Sequence, residues 1–395
     1  MKGKKYMRVL FCHDGPLRKD ENNTYYGTAH NDETFSRYYK IANNLAALIR
    51  VVDIPKDIAK NKYSKITVSP FEVIPCPNIT SLKGFFFKNA AKDIIEQEIV
   101  KSDYIVARLP SLIGFYAVDY AKKHNKPYLI EVVACPWEAS WNHSFKGKIV
   151  APYMYFATKK RVKDASFVVY VTNRFLQNRY PCIGESIGCS DVSLPETDDK
   201  VLEKRLAKID NMSADKPIII GTVAAVSVRY KGQQYIIKAL GKLKKQGINN
   251  FEYHLVGTGD QSYLRKIART YDVLDKIRFI GSLRHEEVFD WLESIDLYAQ
   301  PSRTEGMPRA LIEAMSMGLP CFGTNVGGIP ELLNKEFVFN NNKNNIDEIC
   351  AILKKFDKET MSNQVRINYQ TARLYDKEII EQRRQNFFYL FKNKR

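Results

Sequence analysis

Between Ile295 and Leu333 the sequence reads as a strand, a glycine-bearing turn and a helix in immediate succession. That unit restricts the chain to an α/β architecture. Ile295–Gln300 (IDLYAQ) is an apolar run of strand length, and Pro308 fits a first helical position, where its missing N–H costs nothing. Ala310, Leu311, Ala314 and Met315 then recur at helical spacing. The alternation continues in both directions. Met7–Cys12, Asp103–Arg108, Tyr128–Val133 and Phe167–Thr172 read as strands, with helices over Thr34–Arg50 and Gly114–His124 and a polar loop over Asp14–Asn31. Pro217–Val223, Tyr253–Asp260 and Lys276–Gly281 are further strands, with helices from Tyr230 to Leu240 and from His285 to Ser294. Strands alternating with helices imply parallel sheets joined by right-handed crossovers.

The turn after Gln300 carries two carboxylates, Glu305 and Glu313, and a glycine pair, Gly327 and Gly328, follows. A helix start presents unsatisfied N–H groups and a positive dipole end, so it suits phosphate. Eight residues of helix rise roughly 12 Å, comparable to the long axis of a nucleotide-sugar. An ionised carboxylate only accepts hydrogen bonds, which suits sugar hydroxyls. Glu313 would hold a ribose and Glu305 would face a second sugar. Two solvated acids near a helix start would give the same local pattern.

Glu305, seven residues, Glu313, then EAMSMGLP and GGIPEL resemble the donor-binding signature of retaining GT-B glycosyltransferases of family 4. YHLVGTGD, KIRFIG and HEEVFDWLES fall in the family's order, and the resemblance is strongest over residues 217–335. It implies two Rossmann-like domains with parallel sheets facing across a cleft. The expected divisions are an acceptor-binding domain over 1–194, a linker over 195–216, a nucleotide-sugar domain over 217–375 and a helix over 376–395 that crosses back. In such enzymes a Lys-Gly after the domain's first strand brings a lysine to the donor diphosphate, and Lys231 matches it. The family arginine five residues earlier is absent: Val226 stands there, and Arg229 is the nearest cation.

The resemblance implies transfer from a nucleoside-diphosphate sugar, with a UDP-sugar expected, and retention at the anomeric carbon. Glu305, Lys231 and Arg229 are the expected catalytic residues. Glu313, Gly306, Met307, Gly15, Gly257 and Gly259 are expected to bind the donor, with Gly27 an alternative to Gly15. On the acceptor side the candidates stand at strand ends, where open α/β sheets bind ligands: His13, Arg108 and Glu131, with Trp137, Glu138, Trp141 and His143 beyond them. No cofactor or essential metal is expected, since protein cations and backbone would meet the diphosphate charge.

The net charge of +17 requires anionic partners. His143–Lys163 interleaves Lys146, Lys148, Lys159, Lys160, Arg161 and Lys163 with Phe145, Tyr153, Tyr155 and Phe156. Leu82–Lys88 and the terminal run from Arg383 to Arg395 repeat that pattern. Such stretches suit an anionic membrane surface. No nucleic-acid motif accompanies the charge, so nucleic acid is not an expected partner. Seven scattered cysteines fit no disulfide framework or zinc site and indicate a reducing cytoplasm. No apolar run reaches spanning length, so a membrane substrate would be met from the cytoplasmic side. The expected activity is hexosyl transfer to a glycan or lipid-linked oligosaccharide in surface polysaccharide synthesis. A soluble acceptor, a catalytically silent partner subunit and a nucleic-acid-binding module are competing readings.

Overall fold

The structure, a computed structural model, describes residues 6–79, 88–141, 145–195, 198–213 and 215–394. Phe85, Phe86, Phe87, His143 and Arg395 lie outside the described residues, as do the side chains of Trp141, Phe145 and Lys146. Among the described residues nine strands form the first sheet: β1 (Arg8–Lys19), β2 (Tyr25–Gly27), β3 (Asn44–Asp53), β4 (Ser64–Lys65), β5 (Phe71–Pro75), β6 (Tyr104–Leu109), β7 (Tyr128–Val132), β8 (Phe167–Tyr170) and β9 (Glu185–Gly188). The order β5-β3-β1-β6-β7-β8-β9 is parallel throughout, and β2 and β4 pair antiparallel beside the end of β1. The second sheet has six parallel strands in the order β12-β11-β10-β13-β14-β15. These are β10 (Ile218–Val223), β11 (Phe251–Val256), β12 (Ile277–Gly281), β13 (Leu297–Gln300), β14 (Cys321–Thr324) and β15 (Val338–Phe339).

Three local expectations need correction. The helix expected over Thr34–Arg50 is a short helix, Asp32–Ser36, followed by a 3-10 turn, Arg37–Lys40, and then by β3. The Leu-Ala-rich segment NLAALI is buried on both faces of a parallel sheet, so it lacks the alternation that marks half-buried strands. The loop expected from Asp14 is largely a continuation of β1, which shifts register against β3 between His13 and Leu17. Pro308 caps its helix rather than starting it: its ψ is 104° and the helix runs Arg309–Ser316. Glu305 therefore lies in the loop before the helix, and the helical rise does not set its separation from Glu313.

The sequence between the two sheets is helical over Lys200–Asp210, and Arg205 is buried there, donating to the carbonyls of Leu292, Ile295 and Met317. The last helix, Lys377–Asn393, lies on the first sheet. Its Phe391 meets Tyr104 and Phe167 at ring distances of 5.6 and 5.3 Å, and Phe388 stacks on Tyr38. Arg384, also buried, donates to the Ser190 carbonyl. Phe387, Phe388 and Phe391 of this terminal run are thus core, which removes them from a membrane-facing patch, while Tyr389 is exposed.

Candidate active site

Both sheets direct the carboxyl ends of their strands at the same region, and the loop after β13 lies between them. That loop is fixed from below. Tyr298 donates its hydroxyl to Gln300 Oε1 at 3.1 Å, and Gln300 Nε2 donates to Ser302 Oγ and to Glu305 Oε1, each at 3.1 Å. Lys231 Nζ reaches the same Glu305 oxygen at 2.7 Å. Lys231 is brought there by a 3-10 turn, Arg229–Lys231, that ends at Gly232 with φ +80°. A Cβ on Gly232 would sit 1.8 Å from the Pro301 carbonyl oxygen, so only glycine lets the two loops touch. The Arg303 N–H closes the contact by donating to the Tyr230 carbonyl at 2.7 Å.

The glycine pair packs against the same loop. Gly327 has φ +57°, and a Cβ there would meet the Glu305 carbonyl oxygen at 2.2 Å; Gly328 donates its N–H to the Gly306 carbonyl at 2.7 Å. Gly306 in turn faces the first half, where its added Cβ would lie 2.7 Å from the Val133 carbonyl oxygen. Met307 packs on core residues of both halves. Glu313 is only 4% exposed and holds His285 Nε2 at 3.0 Å, with Arg309 3.9 Å away. His285, the first residue of the helix His285–Ser294, stands at the solvent rim.

Arg229 is exposed and lies over the Tyr263 ring at 4.4 Å. Val226 belongs to the apolar core, so no side-chain cation replaces the family arginine at that point of the loop. Gly257 and Gly259 close against Ala224 and Ser227, the loop leaving β10.

In the first half the structure puts several expected residues to internal use. Arg108 and Glu131 form a buried ion pair at 2.9 Å, and Tyr38 donates to the same Glu131 oxygen at 2.9 Å. Arg108 also pairs with Asp191, which Arg37 reaches at 2.7 Å. Burial alone would raise the Asp191 carboxyl, but the Arg108 and Arg37 guanidiniums overcome it and hold the group well below the usual carboxylate range. With Glu131 only 3% exposed, this pair organises the sheet ends rather than offering open groups to an acceptor. Gly15 packs on a histidine pair and donates its N–H to His13 Nδ1 at 2.7 Å, while His30 Nε2 lies 3.0 Å from the same nitrogen. Burial, aided by Arg108, lowers His30 to about 3, and burial together with His30 lowers His13 well below its ordinary value.

The two halves meet directly around this loop. Thr304 donates to the Glu138 carbonyl at 3.2 Å, and Arg309 donates to the Asp191 carbonyl at 3.2 Å. Glu331 accepts the backbone N–H groups of Asn173, Arg174 and Phe175 at 2.7, 3.0 and 2.6 Å, capping the short helix Phe175–Arg179. Sequence reasoning did not select His285, Gln300, His30, Arg37 or Asp191. Gln300 had a legible signal, a polar residue closing an apolar strand just before the acidic turn. Asp191 had none, since its partners lie 83 and 154 residues away.

Among the described residues no group of three His, Cys, Asp or Glu is placed to hold a metal ion, and no helix is long and apolar enough to cross a membrane.

The family profile described as "Glycosyl transferases group 1" matches residues 204–372. The chain is 33% identical over 368 residues to Protein CapJ of Staphylococcus aureus, covering 91% of this chain and 88% of that one. It is 36% identical over 125 residues to the amylovoran biosynthesis glycosyltransferase AmsK of Erwinia amylovora, about 30% of each chain. The crystal structure of Anabaena HepE in complex with UDP superposes with a TM-score of 0.61 at 17% identity, over 95% of this chain and 98% of that one. The architecture is thus the GT-B one, two Rossmann-like halves with parallel sheets.

Proposed function

The chain belongs to the group 1 glycosyltransferases, and from that premise we propose that it moves a hexosyl unit from a UDP-sugar to a glycan or lipid-linked oligosaccharide, with retention at the anomeric carbon as in family 4. The observation that carries the reading is the meeting of Lys231 with Glu305 on a backbone closed by Gly232 and Gly327. A lysine held against a carboxylate is a cation already placed and neutralised; an incoming diphosphate would take over the role of counter-ion. Next to it, the first N–H groups of the helix Arg309–Ser316 have no acceptors within the helix, and they add positive potential where phosphate would lie. Glu313, behind His285, would accept the ribose hydroxyls.

In this reaction the bond from the anomeric carbon to the diphosphate oxygen breaks and the bond to the acceptor oxygen forms on the same face. The acceptor's proton passes to the departing phosphate. Lys231 stabilises the charge that develops on that leaving group, a contribution of preorganised electrostatics. Glu305 positions the transferred sugar, and closure of the halves excludes water. Protein cations and backbone meet the diphosphate charge in this scheme, which assigns no role to a metal ion.

A place on the inner face of the plasma membrane, acting in surface polysaccharide synthesis, is the second part of the proposal. AmsK, named for a biosynthetic glycosyltransferase, supports the pathway class. The helix Phe145–Lys163 supports the membrane contact: Ile149, Tyr153 and Phe156 are 70%, 60% and 64% exposed, beside exposed Lys159 and Lys160. Apolar side chains in solvent flanked by cations suit anionic headgroups. Arg161 is excluded from that surface, because it donates to Asp119 and to the carbonyls of Phe115 and Ala157.

The test is a thermal-shift panel of nucleoside diphosphates on the wild type and on Glu313→Ala. A ligand of the native state raises the melting temperature by mass action. UDP is expected to give the largest shift, and Glu313→Ala to weaken its binding about tenfold or more, in line with a lost charge-assisted hydrogen bond. No shift with any diphosphate would overturn the proposal.

A further inference from the structure

The chain passes between the halves twice, once after β9 and once before the helix Lys377–Asn393. The two crossings run side by side. The Leu194 N–H donates to the Tyr375 carbonyl at 2.9 Å, and the Lys377 N–H donates to the Leu194 carbonyl at 3.0 Å. Arg373 fastens the pair, reaching Asp376 at 2.8 Å and Asp199 at 3.2 Å. Any rotation of one half against the other must be absorbed in this double strap, since a few residues of connecting segments take up such motions. We propose that Tyr375 and Arg309 are positioning residues that carry occupancy of the donor loop into the strap, an inference that rests on the transferase reading above and extends it to the regulation of that site.

Side chains join the end of the loop after β13 to both crossings. The Tyr375 hydroxyl donates to Met307 Sδ at 3.7 Å. Arg309 Nη2 donates to the carbonyl of Asp191, three residues before Leu194, at 3.2 Å. Arg309 Nη1 also lies 3.9 Å from Glu313. Met307 and Arg309 thus stand between Glu305 and Glu313, the two carboxylates assigned to the donor, and each touches a different strand of the strap.

The strap side of each contact is a fixed target. Arg37 and Arg108 clasp Asp191, and Arg384 holds the Ser190 carbonyl, so this crossing is anchored in the first half. Tyr375 is 5% exposed, and its own carbonyl is the one that pairs with Leu194. The loop side is the adaptable one. Met307 offers an unbranched, polarizable thioether, and Lys231 would leave Glu305 when a diphosphate takes over as its counter-ion. A shift of Glu305 displaces Met307 and Arg309 against targets that do not yield, and the strap takes up the displacement. Coupling between sites acts in both directions, so the strap arrangement favoured by the donor also favours the donor-occupied loop.

The experiment follows amide hydrogen exchange, which reports local opening, with and without saturating UDP. The proteins are the wild type, Tyr375→Phe, Arg309→Ala and Arg309→Lys. In the wild type UDP is expected to slow the Leu194 and Lys377 amides about fivefold or more, the lower end of usual coupling between sites. Tyr375→Phe and Arg309→Ala should each lose most of that slowing while UDP still protects the Gly306 and Met307 amides. Arg309→Lys, which keeps a donor for the Asp191 carbonyl, should retain it. Side chains that only filled space would change exchange in the free protein and leave the response to UDP as it was. UDP that protects the loop of the wild type without slowing the strap overturns the inference, as do Tyr375→Phe and Arg309→Ala proteins with the full wild-type response. Tyr375→Phe keeps the buried ring, so it decides the matter even where Arg309→Ala does not fold. A wild type whose melting temperature does not respond to UDP overturns the transferase reading and this inference with it, a result read separately from exchange.

Discussion

Glu331 of the second half accepts the Phe175 N–H of the first half at 2.6 Å, and the same carboxylate takes the amides of Asn173 and Arg174. One side chain thus satisfies consecutive donors at a helix start that would otherwise need water. Glu331→Ala should leave each half folded and loosen their contact by about 1–2 kcal/mol, the cost of a lost cap. Hydrogen exchange is the measurement: the amides of residues 173–175 should exchange faster while those of β6 and β10 do not change. Unaltered protection at those amides would show that the contact carries no closing energy.

Lys231 and Glu305 share one oxygen contact but have different roles. Lys231→Met should lower kcat about 10²–10³-fold, the usual effect of removing one preorganised charge donor. Glu305→Gln keeps the shape and the Gln300 contact while removing the charge. It should abolish transfer and leave UDP binding nearly intact. Near-normal turnover by Glu305→Gln would remove that residue from the site.

Lys159, Lys160, Tyr153 and Phe156 share the exposed part of one helix. Lys159→Ala with Lys160→Ala should reduce sedimentation with phosphatidylserine-containing vesicles several-fold at low salt, about 1 kcal/mol for each cation. Phe156→Ser should reduce it at high salt as well, where screening has already weakened the charges. Binding that neither change affects would favour a soluble acceptor.

The histidine pair makes stability depend on pH in a stated direction. His30 is lowered to about 3 by burial and by Arg108, so it stays neutral in the folded protein. The unfolded chain's histidine takes up a proton near pH 6.5. Between those values the unfolded state binds more protons, so stability falls as pH drops below about 6.5, by up to about 1.4 kcal/mol per pH unit per histidine. Urea unfolding of His30→Gln at pH 7.5 and 5.0 should show a smaller loss than the wild type. Equal losses would mean that His30 ionises freely in the folded protein.

The alternation of strand and helix, the parallel pairing and the acidic turn were legible because each leaves a local pattern: an apolar run, a glycine, a carboxylate at fixed spacing. Lys231 and Glu305 belong to different motifs 74 residues apart, and their contact follows once β10 and β13 are neighbours. β3 was misread because a strand buried on both faces carries no alternation, and leucine and alanine favour a helix in isolation. Arg108 and Glu131 stand at strand ends, as open-site residues do, but nothing local reveals that Asp191 and Tyr38 already occupy them. A buried ion network is a property of the packed sheet, and its members carry no shared spacing in the sequence.

The helix Lys377–Asn393 lays Phe387, Phe388 and Phe391 on the sheet that begins at Arg8. A chain emerging from the ribosome would therefore hold the strands of the first sheet without this aromatic cover until translation had passed residue 391. The first half would have to remain partly assembled while the other half, made later, closes on its own strands, and a break between the second sheet and Phe387 would be felt by the strands of the first.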